Sequence, residues 1–222
     1  MKKINPVLMN CRLFTGIRES DLEFLLDCLS ARQKSYARNS FIFIAGDKID
    51  TVGIVLTGAV HILRDDYWGK RKIVSRIESG ALFGEALACA GVEKIPVSVQ
   101  AVEDSEILFV SCSRIIGNCS LACAFHNDLI KNLTLLLAEK NVEMLQKLEH
   151  ITQTTTREKL LSYLSGEVLY AGKNSFTIPF SRGELADYLS VERSAMSAEL
   201  SRMRDDGLIR YHKNHFELIK EF

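Results

Sequence analysis

Apolar positions change their period twice along the chain. Between residues 37 and 110 they fall in short runs, at 41–45, 51–56, 60–64, 71–77, 97–102 and 106–110, punctuated by Gly46, Gly58, Gly69, Gly80 and Gly84. Short runs broken by glycine turns predict an antiparallel β sandwich or barrel. On either side the spacing becomes helical. Residues 7–30 predict a helical lead-in, with Ser20 and Glu23 spaced as a capping box among Leu22, Phe24, Leu25, Leu26 and Leu29. Residues 112–124 predict a short, cysteine-rich helical link. A long helix follows over 127–152, free of glycine and proline. Leu129, Leu133, Leu136, Leu137, Met144, Leu145 and Leu148 keep a 3-4 spacing there, and Ala138 and Val142 form an adjoining seam. Such a helix carries more apolar surface than one neighbour covers, which predicts pairing with the same helix of a second chain.

After Thr154-Thr155-Thr156 a helix is predicted over 157–170 and a strand over 176–179. The stretch 180–208 then reads as two short helices around a break at Ser190-Val191-Glu192. Ser181 and Glu184 form a capping box, so the first helix starts near Arg182. It buries Leu185 and Leu189, with Ala186 small enough to let a partner helix cross closely. The second buries Met196, Leu200 and Met203, at i, i+4 and i+7. Its other face carries Arg193, Ser194, Ser197 and Ala198. A buried stripe behind short polar and cationic side chains is what a helix needs to enter a DNA major groove. Gly207 ends it. Residues 208–212 and 215–219, either side of Lys213-Asn214, read as a two-stranded wing. The element is a winged helix-turn-helix.

With 222 residues, nearly half of them apolar, two domains are expected. No apolar run reaches membrane-spanning length. The opening Met-Lys-Lys-Ile-Asn-Pro lacks the apolar core of a secretory signal, so a cytoplasmic protein is expected. The 28 basic and 28 acidic residues cancel, which argues against an avid non-specific nucleic-acid binder. A focused reader needs only a local cationic set, here Arg182, Arg193, Arg202, Arg204, Arg210 and Lys213. Nothing in the chain predicts an enzyme. His61 stands alone in the β region, without the clustered ligands of a cupin-like metal site, and neither a P-loop nor a Ser-His-Asp arrangement is present.

The order of β-roll, long helix and winged helix-turn-helix, with its glycine frame and the pair Gly84-Glu85, resembles the cyclic-AMP receptor and fumarate–nitrate regulator (Crp/Fnr) family of bacterial transcription factors. The resemblance runs from Leu13 to Leu218. It implies an α+β chain. Residues 1–124 would be the lead-in and an antiparallel β-roll that senses an effector. Residues 125–152 would be a dimerisation helix, and 153–222 a winged helix-turn-helix DNA-binding domain. The implied partners are double-stranded DNA, a second copy through 127–152, and RNA polymerase.

Within the reading unit, the resemblance makes Arg182 a phosphate contact. Arg193 and Ser194 meet bases or phosphates, Ser197 faces the groove, and Ser181 and Arg202 complete the set. Ala198 stands where the family often has a guanine-reading arginine, a contact contributing roughly 1–3 kcal/mol of discrimination. The family's usual half-site therefore does not transfer. Ser190 replaces the usual glycine of the turn.

The implied effector pocket holds Gly84, Glu85, Ile95, Val97, Ser98 and Val142. In nucleotide-binding members an arginine pairs with the cyclic phosphate, and here that position is Ile95. An apolar side chain cannot offset the desolvation of a phosphate, so an effector other than cyclic AMP is expected, with no metal. An alternative is redox or metal sensing through Cys89, Cys112, Cys119 and Cys123; haem ligation by His61 or His126 is a lesser one. A signalling module of cyclic-nucleotide type that does not bind DNA is a further reading.

Overall fold

In a computed structural model, which describes residues 5–68, 71–117 and 125–219, two 3₁₀ turns (Pro6–Asn10, Arg12–Phe14) and helix α1 (Glu19–Cys28) open the chain. The capping box expected from Ser20 and Glu23 does not form. The helix starts earlier, its N-cap Arg18 makes no side-chain cap bond, and Arg18 instead pairs with Asp21 at 2.7 Å.

Eight strands follow: β1 (Arg32–Tyr36), β2 (Phe41–Phe43), β3 (Thr51–Thr57), β4 (Ala59–Asp65), β5 (Arg71–Glu78), β6 (Leu82–Phe83), β7 (Ser98–Ala101) and β8 (Ser105–Ser111). They form two antiparallel sheets, ordered β1-β8-β3-β6 and β2-β7-β4-β5. Val55, Val60, Phe83, Val99 and Ile107, drawn from both sheets, make one buried cluster. Phe43 packs edge-on against Phe83 and Phe109 beside it. Gly46, Gly58, Gly80 and Gly84 all take positive φ; Gly69 lies outside the described residues. At Gly58, between β3 and β4, a Cβ would stand 2.7 Å from the Asp104 carbonyl oxygen, so only glycine lets the chain cross between sheets there.

Two short helices accompany the strands, α2 (Glu85–Cys89) between β6 and β7 and α3 (Cys112–Ile116) directly after β8. The rest of the helical link expected over 112–124 lies, from residue 118 on, outside the described residues. The long helix is α4 (His126–Ile151). Its first half packs Leu129, Leu133 and Leu136 into the same core as Leu13, Leu25, Ile54 and Val110. Asn132 fixes the lead-in by donating to the carbonyls of Leu13 and Thr15, at 3.0 and 2.8 Å. The chain divides into two units at Ala138–Glu139, so α4 is shared between them.

The second unit contains α5 (Thr156–Ala171), β9 (Ser175–Thr177), α6 (Arg182–Leu189), α7 (Arg193–Asp205), β10 (Ile209–His212) and β11 (His215–Leu218). Its sheet runs β10-β11-β9. Two capping boxes start its helices. Thr155 with Glu158 begins α5, a box that passed unread among three threonines, and Ser181 with Glu184 begins α6. Leu160, Leu164, Leu185, Leu189, Met196, Leu200, Met203 and Phe216 form the core. Burying side chains of this size stabilises by roughly 1.5–3 kcal/mol each.

Candidate nucleic-acid interface and effector site

Helices α6 and α7 meet at a turn in which Ser190 takes the left-handed conformation, φ 53° and ψ 51°. The Val191 amide donates back to the Ala186 carbonyl at 3.0 Å, and the Ser190 amide to Asp187 at 3.2 Å. Helix α7 then starts on Glu192, whose carboxylate accepts from the Ala195 amide at 2.7 Å and from the Ser194 hydroxyl. These bonds, the Ser194 hydroxyl foremost, hold the Glu192 carboxyl down at about 2. An ionised carboxylate at a helix N-terminus is also favoured by the helix dipole. Glu192 escaped the sequence reading. An acidic residue three positions before Ala195 was the available signal.

Four of the positions singled out on α7 are exposed on it together. Arg193, Ser194, Ser197 and Ala198 are exposed on α7, while Met196, Leu200 and Met203 are buried behind them. Ser181 is exposed at the start of α6. Their engagements differ. Ser194 is turned toward Glu192, and Ser197 donates to the Arg193 carbonyl at 2.9 Å. Arg202 pairs with Glu199 at 2.6 Å, and Glu199, itself buried, also takes Arg157 at 3.2 Å. Arg204 pairs with Asp205, and Arg210 with Glu217.

Arg182 is held differently. Its guanidinium lies over the wing rings of Tyr211 and Phe216, 4.7 and 4.9 Å from their centroids. Its Nη2 is buried without a hydrogen-bond partner among the described residues. Burial lowers its pKa, partly opposed by Tyr211. Among the second unit's arginines, Arg193 alone makes neither an ion pair nor a ring contact with the described residues. At the wing tip Lys213 takes positive φ, and the Asn214 side chain donates to the Ile178 carbonyl at 3.0 Å.

In the first unit, Gly84 is the left-handed N-cap of α2, φ 78°, and Glu85, the first residue of α2, is buried. Ile95 is only 2 % exposed and packs in the core that includes Ile49 and Ala88. Its backbone pairs with the turn opposite, Gly46 donating to the Ile95 carbonyl and Ile95 to Asp47. Ser98, also buried, accepts from the Ala45 amide at 2.9 Å; Val97 is half-buried. Lys94, in the loop before β7, is exposed. Val142, expected beside the effector, belongs to the second unit and is 53 % exposed on α4.

Of the cysteines weighed as ligands, Cys89 ends α2 and Cys112 begins α3, while Cys119 and Cys123 lie outside the described residues. Among the described residues no group of three or more His, Cys, Asp or Glu is placed to hold a metal ion. His61 lies on β4 and His126 at the start of α4. No described helix is long and apolar enough to cross a membrane.

A β-roll followed by a winged helix-turn-helix defines a ligand-sensing, DNA-binding class of protein. Two family profiles match the same two regions: a cyclic nucleotide-binding domain over residues 33–116 and a Crp-like helix-turn-helix domain over 158–221. The chain belongs to the Crp/Fnr family of DNA-binding transcriptional regulators. It is 25% identical over 199 residues to the nitrogen fixation regulation protein FixK of Azorhizobium caulinodans, covering 84% of this chain and 74% of that one. It is also 25% identical to the cyclic AMP receptor protein of Thermus thermophilus, over 89% of this chain and 88% of that one. In fold it is similar to the c-di-GMP-responsive global regulator CLP of Xanthomonas campestris, with TM-score 0.59, 17% identity, and 92% and 100% of the two chains covered. A nucleotide-binding-type domain implies a small-molecule effector.

Proposed function

We propose that this regulator acts as a homodimer paired through α4, reading a two-fold symmetric DNA site with α7. A small molecule other than cyclic AMP, bound around Gly84, Glu85, Ile95, Val97 and Ser98, controls it. Arg193 reads base edges and Ser197 assists. Ser181, Arg182, Ser194 and Arg202 flank them and position the backbone. The observation carrying this is Arg193 itself, an exposed cation at the start of α7 with no ion pair among the described residues to break before it meets DNA. Pairing is supported by the exposed Leu135, Val142, Met144, Leu145 and Leu148 on α4. Val142 therefore belongs with the pairing face.

The effector reading rests on Ile95. Where a cyclic phosphate needs a cation, this chain has a side chain committed to the core. By this reading the effector shifts the balance between two arrangements of the dimer. Only one of these sets the two α7 helices about 34 Å apart, one turn of DNA. RNA polymerase is the proposed partner once the site is occupied. Selection from random double-stranded DNA, followed by anisotropy titrations at fixed salt, tests the proposal. Sequence-selective binding that weakens with salt is expected. Equal affinity for selected and scrambled DNA, with and without cell-extract metabolites, overturns it.

A further inference from the structure

The last residue of α2 and the first of α3 bring two thiols together: Cys89 Sγ and Cys112 Sγ are 2.9 Å apart. Both are free cysteines. A disulfide needs about 2.05 Å between sulfurs, so closing by about 0.9 Å would join them. The sites differ in access. Cys112 is buried, 2 % exposed, and its amide is anchored to the Asp50 carbonyl at 2.9 Å, whereas Cys89 is half-buried. The movement needed falls on α2, a five-residue helix that starts on left-handed Gly84 and is followed by left-handed Gly91. Such a segment shifts more readily than a strand held in a sheet.

We infer that Cys89 and Cys112 form a reversible intramolecular disulfide, a modification site for a peroxide-class oxidant. The half-buried Cys89 reacts first. Its thiolate sulfur attacks one peroxide oxygen, the O–O bond breaks, and a protonated hydroxide leaves as water, giving the sulfenic acid. Cys112 sulfur then attacks Cys89 sulfur. The S–S bond forms, the S–OH bond breaks, and the Cys112 proton leaves with the hydroxyl as a second water. Two thiols are oxidised by two electrons and one peroxide is reduced to two waters. A dithiol reductant reverses it by exchange.

Burial, with help from the Cys89 contact, pushes the Cys112 thiol up to about 12. That keeps Cys112 a thiol near neutral pH and so slow to meet peroxide itself. The bond would tie the segment carrying Glu85 to the segment that leads toward α4. This consequence rests on the regulatory reading above; the disulfide does not.

The test treats the full-length protein with stoichiometric hydrogen peroxide, quenches by alkylation under denaturing conditions, and maps peptides without reduction. The expected result is a peptide pair linked through Cys89 and Cys112. Its mass is lower by two hydrogens, and alkylatable cysteines fall from six to four, restored by dithiothreitol. In a Cys89→Ser variant Cys112 remains alkylatable. A Cys119→Ser/Cys123→Ser variant still yields the link. Both cysteines staying alkylatable, Cys89 accumulating as sulfinic acid, or Cys89 linked elsewhere overturns the inference. DNA titrations of the two redox forms are read separately. No selective binding by either form counts against the regulator reading and leaves the mapped disulfide standing.

Discussion

The Arg182 guanidinium lies 4.7 Å from the centroid of the Tyr211 ring, tying the start of α6 to the wing. A cation over an aromatic face contributes about 0.5–2 kcal/mol, most when desolvated, and Arg182 is half-buried. Arg182→Ala is therefore expected to destabilise the second unit by about that amount, in addition to weakening DNA binding evenly across sequences. Urea unfolding of the variant, beside Tyr211→Leu and the double variant, measures the coupling. Additive losses would show that the rings and the guanidinium do not act together.

Arg193→Ala separates reading from holding. Losing a base-edge contact costs roughly 1–3 kcal/mol of discrimination, so both affinity and base preference should fall. Arg182→Ala should weaken binding without changing preference. Selection from randomised sites gives the comparison. An identical preference for wild type and Arg193→Ala would falsify the assignment of Arg193.

Ser190 takes a backbone conformation that costs a residue with a Cβ roughly 1–2 kcal/mol. Its side chain is exposed and makes no hydrogen bond among the described residues. Ser190→Gly should stabilise the second unit by up to about 1 kcal/mol, glycine's extra freedom when unfolded offsetting part of the gain. Ser190→Val should destabilise it. Thermal midpoints of the three proteins should rank Gly above Ser above Val.

Glu192 predicts an acid-sensitive start to α7. Its carboxyl titrates at about 2 when folded, against an ordinary 4.5. A depressed folded value contributes stability that is complete above 4.5 and is lost as pH falls from there toward 2. Wild type should lose stability over that window more steeply than Glu192→Gln. Parallel acid limbs in the two proteins would mean the cap is broken in solution.

Pairing through α4 has its own test. Leu145→Glu places a charge in an exposed apolar seam, so it should yield monomers by sedimentation while leaving the fold intact by circular dichroism. Leu133→Glu, by contrast, should unfold the first unit, because Leu133 is 2 % exposed in its core. A Leu145→Glu dimer as tight as wild type would move the interface elsewhere.

How much was legible depended on repetition. Strands such as β3 and β8 announce themselves through runs of Val, Ile and Leu, and α4, α6 and α7 through recurring apolar positions. Strand β1 (Arg-Gln-Lys-Ser-Tyr) has no alternation to read. It is a strand only because β8 offers it a backbone ladder, from Arg32 opposite Phe109 to Tyr36 opposite Ser105. Helix α2 is too short for a period. The Ser20–Glu23 spacing matched a cap that tertiary packing placed elsewhere, while Thr155–Glu158 made one. At the candidate site, the positions on α7 were visible as a face. What Ser194 and Arg182 bond to was not, because Glu192 and the wing rings act through contacts that spacing does not encode.

The polarity that hid β1 has a use of its own. It is an outer strand of its sheet, with one row of amides and carbonyls unpaired by β8. A bare edge of this kind invites another chain to extend the sheet, and natural proteins guard such edges with charge. Arg32 and Lys34 stand exposed along it. Two copies meeting edge to edge would bring these cations into mutual repulsion. The β-roll is thus guarded along this edge against open-ended stacking of one copy on the next.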